Sequence, residues 1–203
     1  MKQTENKSFI KNSPQDNLRS LAIIISVIVI ALSSLLSFRI QDSIFPFVMQ
    51  NFFCLTFAGI FGGFSGGAIT GLMLMCGALG LPIFSFGTGG ANCLSSETGG
   101  FLIAYFISAL FIGIYLGTPK EEKTPFKKII FSMIIGYVII YLVGFFQYFK
   151  ATRIPFSFLT LENLAYRSIP LFIGDFIKMI ISCVLTYFLR PVCARYFYTE
   201  KGI

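Results

Sequence analysis

Residues 168–189 read SIPLFIGDFIKMIISCVLTYFL, and their only charged members are Asp175 and Lys178, which lie three positions apart. A transmembrane helix needs about 20 mainly apolar residues, so this segment is long enough to cross a bilayer. An ionised side chain at membrane depth costs at least about 2.5 kcal/mol, and it persists where it faces a cavity or an opposite charge. The segment therefore predicts a functional site inside a membrane-spanning helix.

The composition of the whole chain is typical of a membrane protein. Of its 203 residues, 55% are hydrophobic and 12% are charged, whereas soluble domains contain about 25% charged residues. The charges lie in clusters between long apolar runs, so nearly all of the chain is expected within the lipid bilayer. We predict an all-α integral membrane domain over residues 18–190, between cytoplasmic tails at residues 1–17 and 191–203.

Six apolar runs predict six transmembrane helices. In chain order, these predicted helices cover residues 18–38, 47–64, 66–81, 99–117, 128–149 and 168–189. Predicted helices 2 and 3 almost touch at residues 62–67, GGFSGG, where glycine permits a tight reversal of the chain. The expected architecture is one compact six-helix bundle.

The loop cations predict the orientation of the chain. If the N-terminus is inside, eleven Lys and Arg residues flank the inner helix ends and four flank the outer ends. The outer four are Arg39, Lys150, Arg153 and Arg167. The positive-inside rule therefore predicts a plasma-membrane protein with both termini in the cytoplasm. The net charge of +7 follows from this topology, and a nucleic-acid partner is not expected because the cations form no single water-facing stripe.

The absence of histidine excludes several kinds of chemistry. Zinc, haem and di-iron sites that use imidazole are ruled out, and the five cysteines include no CxxC pair, so no cofactor is expected. Residues 63–66, GFSG, match the GxSG string around the nucleophile of rhomboid-type intramembrane proteases. Such a serine needs a histidine to accept its proton. Ser65 is therefore interpreted as a small residue in a glycine hairpin, and the chain is not expected to be an enzyme.

A long loop joins predicted helices 3 and 4. Residues 79–100 read LGLPIFSFGTGGANCLSSETGG, without any Lys or Arg, and the predicted topology places them on the outer face. Loops of this length are usually lids or binding loops. We predict a substrate lid, with a re-entrant loop that only packs as the alternative.

One face of predicted helix 6 is polar. At 100° per residue, its stripe contains Leu171, Asp175, Lys178, Ser182 and Thr186, and we expect this stripe to face the bundle. Asp175 and Lys178 are also close enough in sequence to bond each other. Two interpretations remain open, namely a self-paired structural bridge and a split site completed by a polar ligand.

Several strings in the chain match the pattern of a known family. They are FPFVMQ at 45–50, GLPIF at 80–84, GTGG at 87–90, TGGFL at 98–102 and PLFIGDFIK at 170–178. Together, over about residues 20–190, they resemble the BioY family, the biotin-binding membrane subunits (S components) of energy-coupling-factor (ECF) transporters. The resemblance implies a six-helix S-component-like bundle that captures biotin outside and delivers it to the cytoplasm. Its implied partners are an ECF coupling transmembrane subunit and ATPase subunits.

The resemblance also implies how biotin is held. Biotin has a carboxylate tail and a ureido ring with two N–H donors, so it needs a cation at one end and an acceptor at the other. We expect Lys178 to meet the carboxylate and Asp175 to meet the ureido hydrogens. The further binding residues that we expect are Gln50, Phe84, Thr88, Asn92, Phe101 and Arg167. Of these, Arg167 has an ordinary interfacial cation as its alternative interpretation, and Phe84 and Phe101 have plain packing as theirs.

Two positions in the expected pocket depart from the family pattern. Glu97 stands where proline is usual before Thr98, and Val48 stands where threonine is common. Both departures bear on the contacts with the ligand rather than on membership of the family.

The resemblance implies a partner-facing surface on predicted helix 1. Ala22 and Ser26 lie four positions apart, a spacing that lets helices approach closely, and internal packing is the alternative. The chain has no Walker A string, GxxxxGK[ST], so it cannot hydrolyse ATP by that route. Energy must come from partners, or transport is passive.

Other functions remain open at this level. The chain is alternatively a transporter, alone or as an S component, for another vitamin or small carboxylate. An intramembrane enzyme and a purely structural assembly subunit are the remaining classes, and the missing histidines weigh against the enzyme.

Overall fold

The computed structural model describes residues 14–41, 43–154 and 157–198. Within these ranges the chain forms seven α-helices and one two-stranded antiparallel sheet. The helices are α1 (Pro14–Ser33), α2 (Gln50–Phe61), α3 (Gly63–Ala78), α4 (Ala91–Leu94), α5 (Gly99–Leu116), α6 (Phe126–Thr152) and α7 (Phe158–Phe197). The strands are β1 (Ser37–Phe38) and β2 (Phe47–Val48).

Four helices, α1, α5, α6 and α7, are long and apolar enough to cross a membrane. This confirms the all-helical membrane class. The apolar helices α2 and α3 contain 12 and 16 residues, which is about 18 Å and about 24 Å of helix. The hydrocarbon core of a bilayer is about 30 Å thick. The expected count of six spanning helices is therefore not confirmed over the described ranges.

Each predicted helix overlaps one observed helix, α1, α2, α3, α5, α6 or α7, but the boundaries differ. Strands β1 and β2 replace the predicted end of helix 1 and start of helix 2, because Ser37 pairs with Val48 and Phe38 with Phe47. Helix α4 is an additional short helix in the predicted lid. Helix α7 runs for 40 residues, so it continues through most of the predicted C-terminal tail. The remaining tail residues, 1–13 and 199–203, lie outside the described ranges.

The reversal between α2 and α3 requires glycine. Gly62 has a φ of +58°, in the left-handed region that side chains other than glycine rarely adopt. A Cβ atom at Gly62 would lie 2.1 Å from the carbonyl oxygen of Gly117, and the Gly63 N–H donates to that oxygen at 3.0 Å. The α2–α3 hairpin therefore rests directly on the end of α5, and the predicted tight reversal is confirmed.

Helix α1 presents an open apolar face. The residues on this face that are more than half exposed are Leu21, Ile24, Ile25, Ile28 and Leu32. By contrast, Ser26 is buried and donates to the Ala22 carbonyl at 2.8 Å, while Ala22 packs against the core. The alternative of internal packing is therefore the one that this structure favours, because the small side chains let α1 approach the bundle, and the contact of Ala22 and Ser26 with a partner stays a prediction.

Helix α7 buries a continuous polar stripe. The members of the stripe, none more than 4% exposed, are Asp175, Lys178, Ser182, Thr186 and Arg190. The opposite face carries Ile173 and Ile177, which are more than half exposed. The stripe packs on α2, where Thr56 and Ser182 share a hydroxyl hydrogen bond of 2.8 Å. The predicted orientation of the polar stripe towards the bundle is thus confirmed.

Arg190 closes the end of this stripe that lies near the α2–α3 hairpin. Its guanidinium donates to the carbonyl oxygens of Leu116 at 2.9 Å and Gly117 at 2.6 Å, and also to that of Gly59. Its Nε donates to the Thr124 hydroxyl at 3.0 Å. Carbonyls at helix C-termini carry partial negative charge, which favours a cation there. Arg190 therefore ties the ends of α2 and α5 to α7.

Arg190→Lys is expected to destabilise the fold by about 2–4 kcal/mol, because an ammonium cannot reproduce the planar fork and leaves buried carbonyls unsatisfied. Denaturant unfolding of the purified protein in mixed micelles measures this loss. Arg195→Lys, at an exposed position of the same helix, is the matched control and should stay within about 0.5 kcal/mol. Equal stability of the two variants would contradict the assigned role of Arg190.

Candidate functional site

A cavity of about 570 Å³ lies at the end of the bundle remote from Arg190. Its walls come from the segment between α1 and α2, the loop between α3 and α5, the starts of α2 and α5, and the middle of α6 and of α7. Asp175 lines the cavity, and it precedes Arg190 by 15 positions, or about 22 Å along α7. Small-molecule sites typically occupy about 300–1,000 Å³, so the cavity has the size of a ligand site.

Lys178 is fully engaged by the protein. It forms an ion pair with Asp175, and its ammonium also donates to the Val48 carbonyl at 2.8 Å and to Asn51 Oδ1 at 3.0 Å. A lysine has three N–H donors, and these three contacts use them all. Lys178 is 4% exposed and is not part of the cavity wall. The expectation that it meets a ligand carboxylate is therefore not supported by its position.

Asp175 lies between this network and the cavity. Its Oδ1 accepts from Lys178 and from Asn51 Nδ2 at 3.0 Å, and its Oδ2 accepts from the Tyr141 hydroxyl at 2.5 Å. Unlike Lys178, Asp175 forms part of the cavity wall. The pair is therefore bonded to itself, as the structural-bridge interpretation expects, and a cavity adjoins its acidic member. The split site completed by a polar ligand stays a prediction.

The glycine before Asp175 makes room for an aromatic ring. A Cβ atom at Gly174 would lie 2.5 Å from Phe47 Cε2. The Phe47 ring stacks on Phe38 with centroids 4.8 Å apart, and the Lys178 ammonium lies 4.1 Å from its centroid. Cation–π attraction of this kind is strongest in a desolvated setting. The β1–β2 hairpin thus covers the ion pair. A glycine precedes Asp175 because the Phe47 ring occupies the space that a side chain would need.

The predicted lid is an ordered loop held to the bundle. Gln50 Nε2 donates to the Ile83 carbonyl at 2.8 Å, and the Gly90 N–H donates to the Gly77 carbonyl at 2.7 Å. Phe84 is 1% exposed, and its ring packs against Gly77. A short 3₁₀ turn at Ser85–Gly87 follows. Gln50 therefore anchors the loop, and it does not line the cavity as a ligand contact.

The structure brings most of the predicted binding residues together around the cavity. Those in its wall are Phe84, Thr88, Asn92, Phe101 and Asp175, together with both departures from the family pattern, Val48 and Glu97. Those outside its wall are Gln50, Lys178 and Arg167. Arg167 is exposed on α7. Over the described part of the chain, no cluster of three or more His, Cys, Asp or Glu residues is placed to hold a metal ion.

Ser65 is a neighbour of Arg19 rather than part of this site. It lies near the start of α3 and accepts a hydrogen bond from the Arg19 guanidinium. That guanidinium also lies 4.4 Å from the centroid of the Tyr198 ring. Ser65 of the GxSG string therefore links α3 to α1 through Arg19, and Arg19 in turn contacts the residue that follows α7.

A family model described as BioY family matches residues 6–195, which is most of the chain. The chain belongs to the BioY family. Among curated proteins, this BioY chain is 29% identical over 147 residues to a protein of Lactococcus lactis named biotin transporter BioY, covering 71% of the chain and 75% of that protein. It is 35% identical over 101 residues to the protein of the same name from Thermotoga maritima, covering 50% of the chain and 57% of that relative.

The fold of this BioY chain is also that of a solved structure. The crystal structure of the S-component for biotin from an ECF-type ABC transporter matches with a TM-score of 0.75, covering 90% of the chain and 97% of the other protein. Sequence identity over this match is 24%, so the likeness concerns the fold.

Among the wall residues of the BioY cavity that the sequence analysis did not predict, Arg39, Asn51 and Tyr141 matter most, because they bring charge or hydrogen bonds to the site. Arg39 was counted only as an outer loop cation, although it lies six positions before the start of the FPFVMQ string. Asn51 directly follows that string at the start of an apolar helix, and this second amide beside Gln50 was the available signal. Tyr141 carried no signal, because a tyrosine in an apolar run is ordinary. All three line the cavity.

Removing both charges of the ion pair should cost the BioY fold less than the sum of the two single removals. Asp175→Asn and Lys178→Met are each expected to lose about 3–5 kcal/mol of unfolding free energy, because each leaves a buried partner uncompensated. The loss of unfolding free energy in the double variant should be smaller than the sum of the two single losses by at least about 2 kcal/mol. A double-mutant cycle from denaturant unfolding measures the coupling, with Ile177→Ala, at an exposed position of the same helix, as control. Strictly additive losses would contradict the arrangement.

Proposed function

We propose that this chain is the substrate-binding membrane subunit of a biotin transporter, which takes biotin from the outer side and delivers it to the cytoplasm. The observation that carries the proposal is a ligand-sized cavity with a buried carboxylate, Asp175, at its inner end and an exposed cation, Arg39, in its wall. The named relatives, which are biotin transporters, support the same substrate. Transport of this kind requires no covalent chemistry from the chain.

Arg39 is the cation that suits the carboxylate of biotin. It is the only Lys or Arg among the described residues of the cavity wall, and its guanidinium lies 5.9 Å from the centroid of the Phe86 ring. A guanidinium offers a planar pair of donors that matches a carboxylate. The tail of biotin therefore lies towards the exposed side, and the ureido ring lies towards Asp175.

Aromatic rings suit the apolar middle of the ligand. Phe45 and Phe101 meet edge to face with centroids 4.9 Å apart, and both line the cavity, as do Phe84 and Tyr105. Rings at such positions bury a large apolar area without polar groups left unsatisfied. The fused ring system of biotin therefore lies against these rings, between Arg39 and Asp175.

The membrane placement is part of the proposal. We place α1, α2, α3, α5, α6 and α7 within the plasma membrane, with the cavity outside and both termini in the cytoplasm, as the distribution of loop cations supports. The membrane domain then covers residues 18–190. An ECF coupling subunit and ATPase subunits supply the energy, and the open apolar face of α1 is available to lipid or to such a subunit.

Isothermal titration of the purified protein tests the substrate and the role of Arg39 together. The parent should bind biotin, and Arg39→Ala should weaken binding by about 1.5–3 kcal/mol because a charge-assisted contact is lost. The loss should vanish with biotinamide, which has no carboxylate. Lys150→Ala, at an exposed outer position away from the cavity, is the control. Tight binding of a different vitamin with weak binding of biotin would overturn the proposal.

Glu97 should oppose an anionic ligand. It lies in the cavity wall but is exposed, so solvent screens its charge and the effect is at most about 1 kcal/mol. Glu97→Gln is expected to tighten biotin binding by up to about fivefold at low salt, and the gain should shrink as ionic strength rises. Titrations at two salt concentrations measure this. Weaker binding in Glu97→Gln would show that the carboxylate is itself a ligand contact.

A further inference from the structure

We propose that the seam between α6 and α7 binds one anionic phospholipid, with its phosphate at Lys123 and one acyl chain lying along the two helices. The α6–α7 seam runs from the ring contact of Phe126 with Tyr187 to that of Tyr141 with Phe172. The inference rests on the proposed placement of α6 and α7 within the membrane. It goes beyond transport, because it concerns a lipid partner and does not depend on the substrate.

The two helices face each other in an antiparallel register. The rings of Phe126 and Tyr187 have centroids 5.5 Å apart, and those of Tyr141 and Phe172 have centroids 4.7 Å apart. These two contacts are separated by 15 positions on each helix, or about 22 Å. Over this length α6 packs less extensively on α7 than on α5. The seam is therefore the looser of the two contacts that α6 makes.

An apolar groove of about 140 Å³ lies at the Tyr141 end of the seam. Its lining comes from both helices and consists of Tyr137, Tyr141, Phe172, Asp175, Phe176 and Met179. The Tyr141 hydroxyl donates to Asp175, and the Tyr137 hydroxyl is buried, so the groove offers ring faces and hydrocarbon. Phe176 is 58% exposed, which places the groove at the surface of the bundle. Such a surface gives hydrocarbon many close contacts.

The Tyr187 end of the seam carries positive charge. Lys123 is exposed, and its ammonium lies 5.1 Å from the centroid of the Tyr187 ring and 5.7 Å from that of Phe188. A ring face attracts the ammonium and takes none of the three N–H donors of a lysine. Residues 118–128 contain four Lys and two Glu. Basic sites between transmembrane helices bind anionic lipid head groups, so this end of the seam suits a lipid phosphate.

The cation and the groove are one acyl chain apart. From Tyr187 to Phe176, α7 advances by 11 positions, or about 16 Å. One leaflet of a bilayer supplies about 15 Å of hydrocarbon, which is half of a core about 30 Å thick. Ile134 and Ile180, which lie between the two ends, are 42% and 49% exposed, so lipid has access to the path. A lipid whose phosphate meets Lys123 therefore reaches the groove with the end of an acyl chain.

The groove shares two residues with the large cavity, namely Tyr141 and Asp175. The hydrogen bond between these two side chains therefore lies between the acyl chain and the cavity. An acyl chain in the groove packs against the Tyr141 ring from the side opposite the cavity. The bound lipid thus supports the cavity wall as a structural component of the BioY domain.

Tryptophan fluorescence tests the site, because the protein has no Trp of its own. Phe176→Trp places a single reporter in the groove, and Ile177→Trp, at an exposed position outside the groove, is the matched control. The vesicles are phosphatidylcholine with a minority of phosphatidylglycerol, and the acyl chains of one lipid or the other are brominated to quench nearby Trp. Quenching of Phe176→Trp should show about a fivefold or greater preference for phosphatidylglycerol, and that of Ile177→Trp less than about twofold. Equal preferences at the two positions would overturn the proposal.

Lys123→Gln, combined with Phe176→Trp, tests the head group. The preference for phosphatidylglycerol should fall to within about twofold, because one lysine near the membrane surface contributes roughly a fivefold gain in the binding of anionic lipid. Lys120→Gln, at an exposed position of the same loop, is the control and should keep the preference. Raising the salt concentration should weaken the preference in the Lys120→Gln protein. A preference that persists in Lys123→Gln would overturn the proposal.

Native mass spectrometry gives a second measurement that needs no Trp, in case Phe176→Trp does not fold. The parent should retain phosphatidylglycerol at least about fivefold more than phosphatidylcholine, and Lys123→Gln should lose this excess. Equal retention of the two lipids by the parent would overturn the lipid site.

Biotin titration of the same preparations separates the lipid site from the proposed function. A parent that binds biotin and shows no preference for phosphatidylglycerol overturns the lipid site and leaves the proposed function standing. A parent that shows the preference and does not bind biotin supports the lipid site and overturns the proposed function.

Discussion

The ion pair between Asp175 and Lys178 can exist within a membrane domain because the surrounding protein completes its hydrogen bonds. Asn51 bonds both partners, Val48 supplies a carbonyl to the ammonium, and Tyr141 donates to the carboxylate. A buried charge without such partners would cost several kcal/mol. Because these partners come from β2, α2 and α6, forming the pair also brings those elements to α7. The local chemistry of one pair therefore sets the arrangement of the part of the bundle that surrounds the cavity.

The same helix organises both ends of the molecule. At one end α7 holds the ion pair beside the cavity, and at the other it holds Arg190 against the last carbonyls of α2 and α5. Between them, Thr56 and Ser182 continue the polar contact with α2. Helix α2 is short because both of its ends are fixed. Its first turn contributes Asn51 to the cavity wall, and its last turn is bonded by Arg190 just before the chain reverses at Gly62. Its length thus follows from its position between two polar anchors.

The division of charge within the site bears directly on function. Lys178 has no free donor, so it orients Asn51 and neutralises Asp175, and it does so from behind the cavity wall. Arg39 is exposed and in the wall, where it is free to meet an anionic tail. A zwitterionic pair in the protein together with a separate cation suits a ligand that is neutral and polar at one end and anionic at the other. Biotin has that pattern.

The sequence by itself determined the features that depend on local order along the chain. Hydrophobic run length predicted an all-α membrane protein, helical periodicity predicted the buried stripe of α7, and glycine content predicted the reversal near Gly62. Only the tertiary structure decided which charge reaches the cavity, because Lys178 is satisfied by Val48 and Asn51, well over 100 positions away. It likewise turned Ser26 inwards and brought Arg39 and Tyr141 into the wall. Periodicity in the sequence predicts which face of a single helix is buried. The hydrogen-bond partners of a side chain on that face depend on which other helices pack against it.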